Sequence, residues 1–252
     1  MGKCVLITGA TSGIGKATAE ILAENGYNLI LTGRRKEYLE QLKEDLFRKY
    51  GQTPLTLNFD VRDLRQVEES LDSLPHPYNE IDVLVNNAGL AVGLNAVQDG
   101  VTDDWDRMID TNVKGLLYVT RKVIPGMISR KSGHIINISS IAGKDPYPMG
   151  NVYCATKHAV QSLTQTMRME LLPYGIKVSS VAPGAVNTEF STVRFKGDRE
   201  RADNVYKGFI PLSGKDVAEA ILFIISRAPH VNIDDLLIMP TAQAFSRDIS
   251  RK

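Results

Sequence analysis

The apolar, β-branched run Val5-Leu6-Ile7-Thr8 passes directly into Gly9-Ala10-Thr11-Ser12-Gly13-Ile14-Gly15 and from there into an amphipathic stretch. No other feature restricts the fold as much. Glycines at a strand-to-helix turn let the backbone approach a pyrophosphate, and the free N–H groups of the helix N-terminus attract its charge. A glycine-rich turn by itself is often only a turn. With a strand before it and a helix after it, at the head of a chain of alternating elements, it reads as a dinucleotide site.

The rest of the chain keeps that alternation. Short apolar runs predict strands over 5–8, 28–32, 55–59, 83–86, 134–138, 177–181 and 236–239. Helical spacing predicts helices over 13–25, 36–49, 64–73, 102–130, 151–173 and 215–227. Several strands are apolar at nearly every position, as expected where helices cover both faces of a parallel sheet. The fold class is therefore α/β, a Rossmann-type doubly wound parallel sheet. No linker or repeat divides it, so one domain over 1–252 is expected. The stretch 183–212 shows neither pattern, and a connection of that length in a compact domain suggests a substrate-covering segment; the plainer alternative is a solvated excursion.

Composition narrows the partners. Lys and Arg number 30 against 29 Asp and Glu, a net charge of +1, which gives no reason to expect nucleic acid or an anionic membrane. No apolar run approaches the ~20 residues of a membrane span. Cys4 and Cys154, the only two cysteines, lie far apart in a chain long enough to form a core without staples, which suggests a reducing, cytoplasmic setting. The four histidines have no metal-ligand spacing, so no metal is expected. The charged end, 247–252, reads as a loosely held tail.

Two local patterns carry chemistry. The second strand ends in Gly33-Arg34-Arg35, where an NAD site would place a carboxylate; two guanidiniums instead suit a 2′-phosphate, so NADP is expected. The alternative is a solvated basic pair at a helix start. Tyr153 and Lys157 are four apart on a predicted helix and share a face, so the ammonium is expected to draw the phenol pKa down toward working pH. Ser140 closes the fifth strand, where it can hydrogen-bond a reacting oxygen.

Taken in order, the glycine turn, Asp60-Val61, Asn86-Asn87-Ala88-Gly89, Asn112, Ser140, Tyr153 with Lys157, and Pro183-Gly184 followed by Val186 and Thr188 resemble the motifs of the short-chain dehydrogenase/reductase family over essentially the whole chain. The resemblance implies a seven-stranded sheet of order 3-2-1-4-5-6-7. It also implies catalysis by Asn112, Ser140, Tyr153 and Lys157, with Asn112 in a relay linking Lys157 through water to solvent. Asp60 and Val61 would meet the adenine, Asn87, Ala88 and Gly89 would line the nucleotide cleft, and 183–188 would pass the nicotinamide. Family members are commonly tetramers or dimers, and a homotetramer is expected here.

Within the family, Ile141-Ala142-Gly143, Pro146-Tyr147, Gly150-Asn151-Val152-Tyr153, Thr188-Glu189-Phe190-Ser191 and Val193-Arg194-Phe195-Lys196-Gly197-Asp198 are similar to the NADP-dependent 3-hydroxy acid dehydrogenases, which act on serine, allo-threonine or malonic semialdehyde. A 3-hydroxy acid carries a carboxylate near its reacting carbon. Arg194 is the expected cation for it, with Lys196 as the other candidate. Two alternatives stay open: a carbonyl reductase of uncharged ketones, and a catalytically silent NADP-binding regulator.

Overall fold

The computed structural model describes residues 2–252, so Met1, the first residue of the expected domain, lies outside it. Strands β1 (Cys4–Ile7), β2 (Asn28–Gly33), β3 (Leu55–Asn58), β4 (Val83–Asn86), β5 (Gly133–Ile138), β6 (Ile176–Pro183) and β7 (Asp235–Ile238) form one sheet. Its order is β3-β2-β1-β4-β5-β6-β7, as expected, and every neighbouring pair is parallel.

The period-two alternation of the central strands divides their side chains between two cores. Val5, Ile7, Leu29, Leu31, Val83 and Val85 face one side, where they meet α1 (Gly13–Glu24), α2 (Lys36–Tyr50) and, further along the chain, α9 (Gly214–Ile225). Leu6, Ile30, Leu84, Ile135 and Val178 face the other, under α3 (Leu64–Asp72), α5 (Leu116–Arg130) and α6 (Asn151–Leu171). Burial on both faces is what makes these strands continuous apolar runs rather than alternating ones.

The helix expected over 102–130 is not continuous. α4 (Thr102–Ile109) gives way to a wider π-helical turn at Asp110–Gly115 before α5 begins. Helical spacing along the sequence does not reveal the interruption, because the wider turn is itself helical and continues directly into helix on both sides. Such turns often mark functional sites, and this one holds Asn112.

The stretch 183–212 is also more ordered than its sequence suggested. Two short helices, α7 (Phe190–Arg194) and α8 (Arg199–Asn204), form within it, the second capped by Asp198, whose side chain accepts from the Arg201 N–H. Helices of five and six residues are too short to display a 3.6-residue period. The carboxyl-terminal residues are docked rather than loose. The Ser246 N–H donates to the Asp145 carboxylate at 2.7 Å, and the Lys252 N–H donates to the Gly208 carbonyl at 2.8 Å. Among the described residues, no helix is long and apolar enough to cross a membrane.

One buried histidine gives the fold a pH dependence. His134 on β5 is 3% exposed, shares a 2.8 Å hydrogen bond with the Ser179 hydroxyl, and has its pKa pushed down to about 3 by burial, with Lys177 and Lys3 adding to the shift. The folded state refuses a proton that an unfolded chain accepts near pH 6.5. Stability is therefore complete above that pH and falls as pH drops from 6.5 toward 3, by about 1.4 kcal/mol per unit for this group. Urea unfolding across pH 4–7 should show a shallower acid slope in His134→Asn than in the wild type; equal slopes would remove His134 from the account.

Candidate active site and nucleotide cleft

A cleft of about 620 Å³ opens at the carboxyl ends of the strands. All of the expected site residues line it except Ala10, Gly15, Asn112 and the alternative cation Lys196. Ala10 is fully buried in the core below the turn. Gly15 lies against the turn from behind, where a Cβ would sit 2.3 Å from the Gly9 carbonyl oxygen. Asn112 is held one layer deeper.

The turn is suited to an anion. Gly9 (φ 67°) and Gly13 (φ 54°) adopt left-handed backbone, which leaves the start of α1 open to the cleft. Ser12 precedes α1 without capping it through its side chain, and the first turn carries no acidic residue, so the helix-start N–H groups have no side-chain acceptor. The other wall is tied to the turn by Asn87, which donates to the Thr8 and Gly9 carbonyls at 2.9 and 3.1 Å, while the Ala88 N–H donates to the Thr8 hydroxyl. These features fit the pyrophosphate of a dinucleotide.

At the end of β2 the two arginines differ. Arg35 donates to the Thr11 hydroxyl and carbonyl, pairs with Glu189 at 3.0 Å and lies over the Tyr38 ring. Arg34 is 56% exposed and reaches only to 3.8 Å from Asp60, so it is the freer cation for a phosphate beside Gly33. Asp60 is engaged by Arg62, a residue the sequence reading did not single out. Burial pushes the Asp60 carboxyl up, but hydrogen bonds and charge from Arg62, with Arg34 beyond, hold it below the usual range. Phe59 and Val61 flank it along the same wall.

Tyr153 and Lys157 emerge from α6 on one face, and Ser140 meets them from the end of β5. The Lys157 amine donates to the Ile138 carbonyl at 2.9 Å, and burial brings its pKa down to about 8. Tyr153 departs from the sequence expectation. Burial is the largest influence and raises its phenol pKa well above the ordinary value, with Tyr147 adding to the rise; the hydrogen bond with Ser140 and the charge of Arg194 pull the other way. Desolvation exceeds any help from Lys157, so the phenol is the favoured form at neutral pH. Asn112 is fixed by Leu90, accepting from its N–H and donating to its carbonyl at 2.8 Å each, and donates to Thr156 at 3.0 Å. It makes no direct hydrogen bond to Lys157. The two converge beside Gly89, where a Cβ would meet Asn112 Oδ1 at 3.2 Å and Lys157 Nζ at 3.5 Å.

The 183–212 segment closes one end of the cleft. Arg194 at the end of α7 has its guanidinium 5.3 Å from the Tyr147 ring centre and 5.6 Å from that of Tyr153, and its Nε and one Nη are buried without a hydrogen-bond partner. Lys196, the other candidate cation, is engaged elsewhere, 2.8 Å from Asp104. Sequence reasoning missed Tyr147 as a site residue and also Arg247, whose guanidinium lies 4.9 Å from the Tyr147 ring. Only the docking of the chain end brings Arg247 here, and no local pattern announced it.

The sequence pattern of the short chain dehydrogenase family matches residues 3–199. The chain belongs to that family. It is similar to the NADP-dependent 3-hydroxy acid dehydrogenase YdfG of Salmonella typhi, 47% identical over 243 residues that cover 96% of each chain. It is 45% identical to sulfoacetaldehyde reductase 2 of Chromohalobacter salexigens over 98% of its own length and 97% of the relative's. Among solved structures, the closed form of a serine dehydrogenase complexed with NADP+ superposes with a TM-score of 0.93 at 43% identity, covering 99% of this chain and all of that one. Family membership gives the cleft and the Ser140, Tyr153 and Lys157 cluster a common context, one that geometry alone supplies only as a pocket with perturbed groups.

Proposed function

We propose that the protein is an NADP-dependent dehydrogenase of small 3-hydroxy acids, of the L-serine, L-allo-threonine or 3-hydroxypropionate type, which in reverse reduces malonic semialdehyde. The observation that carries this reading is Arg194, a guanidinium with two buried, unpartnered nitrogens beside the Tyr153 ring. An uncharged ketone would leave those donors unsatisfied, whereas a carboxylate two bonds from the reacting carbon completes them. The high identity to 3-hydroxy acid and serine dehydrogenases supports the same substrate class. The name of the Chromohalobacter relative points to a sulfonate in the corresponding place, again an anion one methylene from an aldehyde.

NADP, when bound, supplies the hydride acceptor. The glycine turn and the start of α1 would hold its pyrophosphate, and Arg34, with Arg35, would meet the 2′-phosphate. Arg194 orients the substrate by its carboxylate, and Ser140 hydrogen-bonds its hydroxyl. Tyr153, as phenolate, takes the hydroxyl proton as hydride leaves the third carbon; in reduction the phenol returns that proton to the carbonyl oxygen. Lys157 supplies positive charge beside the phenolate, and Asn112 holds the Leu90 loop and the Thr156 turn around it. In this reading the chain acts as one domain with 183–212 as the covering segment, and works as a cytoplasmic homotetramer, for which the family resemblance is the support and light scattering the check.

A substrate panel tests it. L-serine, L-allo-threonine, 3-hydroxypropionate and its methyl ester, with sulfoacetaldehyde and malonic semialdehyde for the reverse direction, are each assayed with NADP(H) and NAD(H) at the nicotinamide absorbance band. The expected result is turnover of the acids with NADP and much slower turnover of the ester. Equal rates on acid and ester would favour the uncharged-ketone reductase, and tight NADP binding with no turnover would favour the regulator.

A further inference from the structure

Asp104 on α4 is 3% exposed, and a carboxylate that deep persists only when it is paired. On its own helix it meets only Arg107, at 4.0 Å from its Oδ1. Its closer partner comes from the segment after α7, as Lys196 Nζ, 2.8 Å from Asp104 Oδ2. Gly93 makes room for this. Its backbone is left-handed (φ 72°), and a Cβ there would lie 2.9 Å from the same carboxylate oxygen. The Gly93 N–H also donates to the Arg194 carbonyl at 3.0 Å. The segment after α7 is thus attached at one spot through the backbone of residue 194 and the side chain of residue 196. The chain turns down onto that spot through left-handed Lys196 (φ 55°) and Gly197 (φ 94°). Neither Lys196 nor Asp104 lines the cleft, whereas Arg194, held between them and the site, does.

We propose that the Asp104–Lys196 ion pair is a latch that sets Arg194 over the substrate end of the cleft, so that Asp104 and Lys196 are positioning residues for selectivity toward acids although neither touches the substrate. This rests on the reading of Arg194 as the carboxylate anchor. The latch acts through geometry. A guanidinium displaced by an ångström loses its bidentate fit to a carboxylate while the hydroxyl stays in the hands of Ser140 and Tyr153, so binding of acids suffers and the chemical step does not.

Steady-state kinetics on 3-hydroxypropionate and its methyl ester, in Lys196→Met, Asp104→Asn, the double variant and Lys196→Arg, test the latch. Each single variant should raise KM for the acid about tenfold, with kcat within about twofold and the ester KM unchanged, and the double variant should be no worse than either single one, as for residues that act as a pair. Lys196→Arg should restore most of the acid preference. An acid-over-ester preference equal to wild type in Lys196→Met overturns the latch, and so does one in the double variant, which removes the buried carboxylate that Lys196→Met alone leaves without its partner. Arg194→Ala measured alongside separates the two readings. Preference lost there but kept in Lys196→Met leaves the anchor standing and removes the latch; preference kept in Arg194→Ala overturns the anchor and the latch with it.

Discussion

Replacing Tyr153 with Phe should lower kcat by about 10³-fold or more while leaving NADP binding close to wild type, since proton transfer by a positioned group contributes about 10²–10⁴-fold. The side chain keeps its volume and its place on α6, and the Phe190 ring 5.6 Å away keeps its partner, so lost packing does not account for the loss. What disappears is the one hydroxyl in the cleft that faces Ser140 and has the acidity to exchange a proton with an alcohol. The direction of the pKa shift adds a pH signature. Burial raises the Tyr153 pKa well above its ordinary value, so the form needed to donate a proton in reduction is present at neutral pH. The phenolate needed for oxidation grows as pH rises. Reduction is therefore expected to keep its rate near neutrality and oxidation to climb through the alkaline range. Single-turnover absorbance at both pH extremes measures this, and oxidation in Tyr153→Phe at a rate near wild type would end the assignment.

Arg194→Ala should cost about 10- to 100-fold in kcat/KM for L-serine or 3-hydroxypropionate, the equivalent of a hydrogen bond to a charged group worth about 1.5–3 kcal/mol. The methyl ester should lose much less. Part of the loss is expected in kcat, because the Arg194 charge is one of the two influences that pull the Tyr153 pKa down, and removing it leaves the phenolate harder to form. A guanidinium between two tyrosine rings also organises the mouth of the site, so Arg194→Lys, which keeps the charge but not the planar fork, should recover only a fraction. If the acid and the ester fall by the same factor, Arg194 shapes the pocket without reading the carboxylate.

Much of this protein could be read along the chain. The glycine turn and the seven apolar runs gave the strands and their alternation with helices, because each depends on near neighbours, while the strand order followed only from the family resemblance. The approach of Tyr153 and Lys157 on one face also follows from helix geometry alone. The interruption of the long helix at Asp110–Gly115 was not legible, since Asn112 is drawn out of helical register by hydrogen bonds to Leu90, a residue from the loop after β4. The shift of the Tyr153 phenol was misjudged for a related reason. The spacing to Lys157 is a local fact, but the desolvation that outweighs it is the sum of surrounding elements.

By itself the sequence determined the α/β alternation, the place of the glycine turn after the first strand and the shared helix face of Tyr153 and Lys157. These are consequences of backbone preference and side-chain chemistry at short range. Only the tertiary structure decided which of two neighbouring cations is available. Charge and position in the segment favoured Arg194 over Lys196 without showing what either meets; Lys196 is taken up by Asp104, ninety-two positions earlier in the chain, while two nitrogens of Arg194 stay unpartnered beside Tyr153. A charge is free or engaged according to what the fold brings within about 4 Å of it, and that distance is set by packing between remote segments.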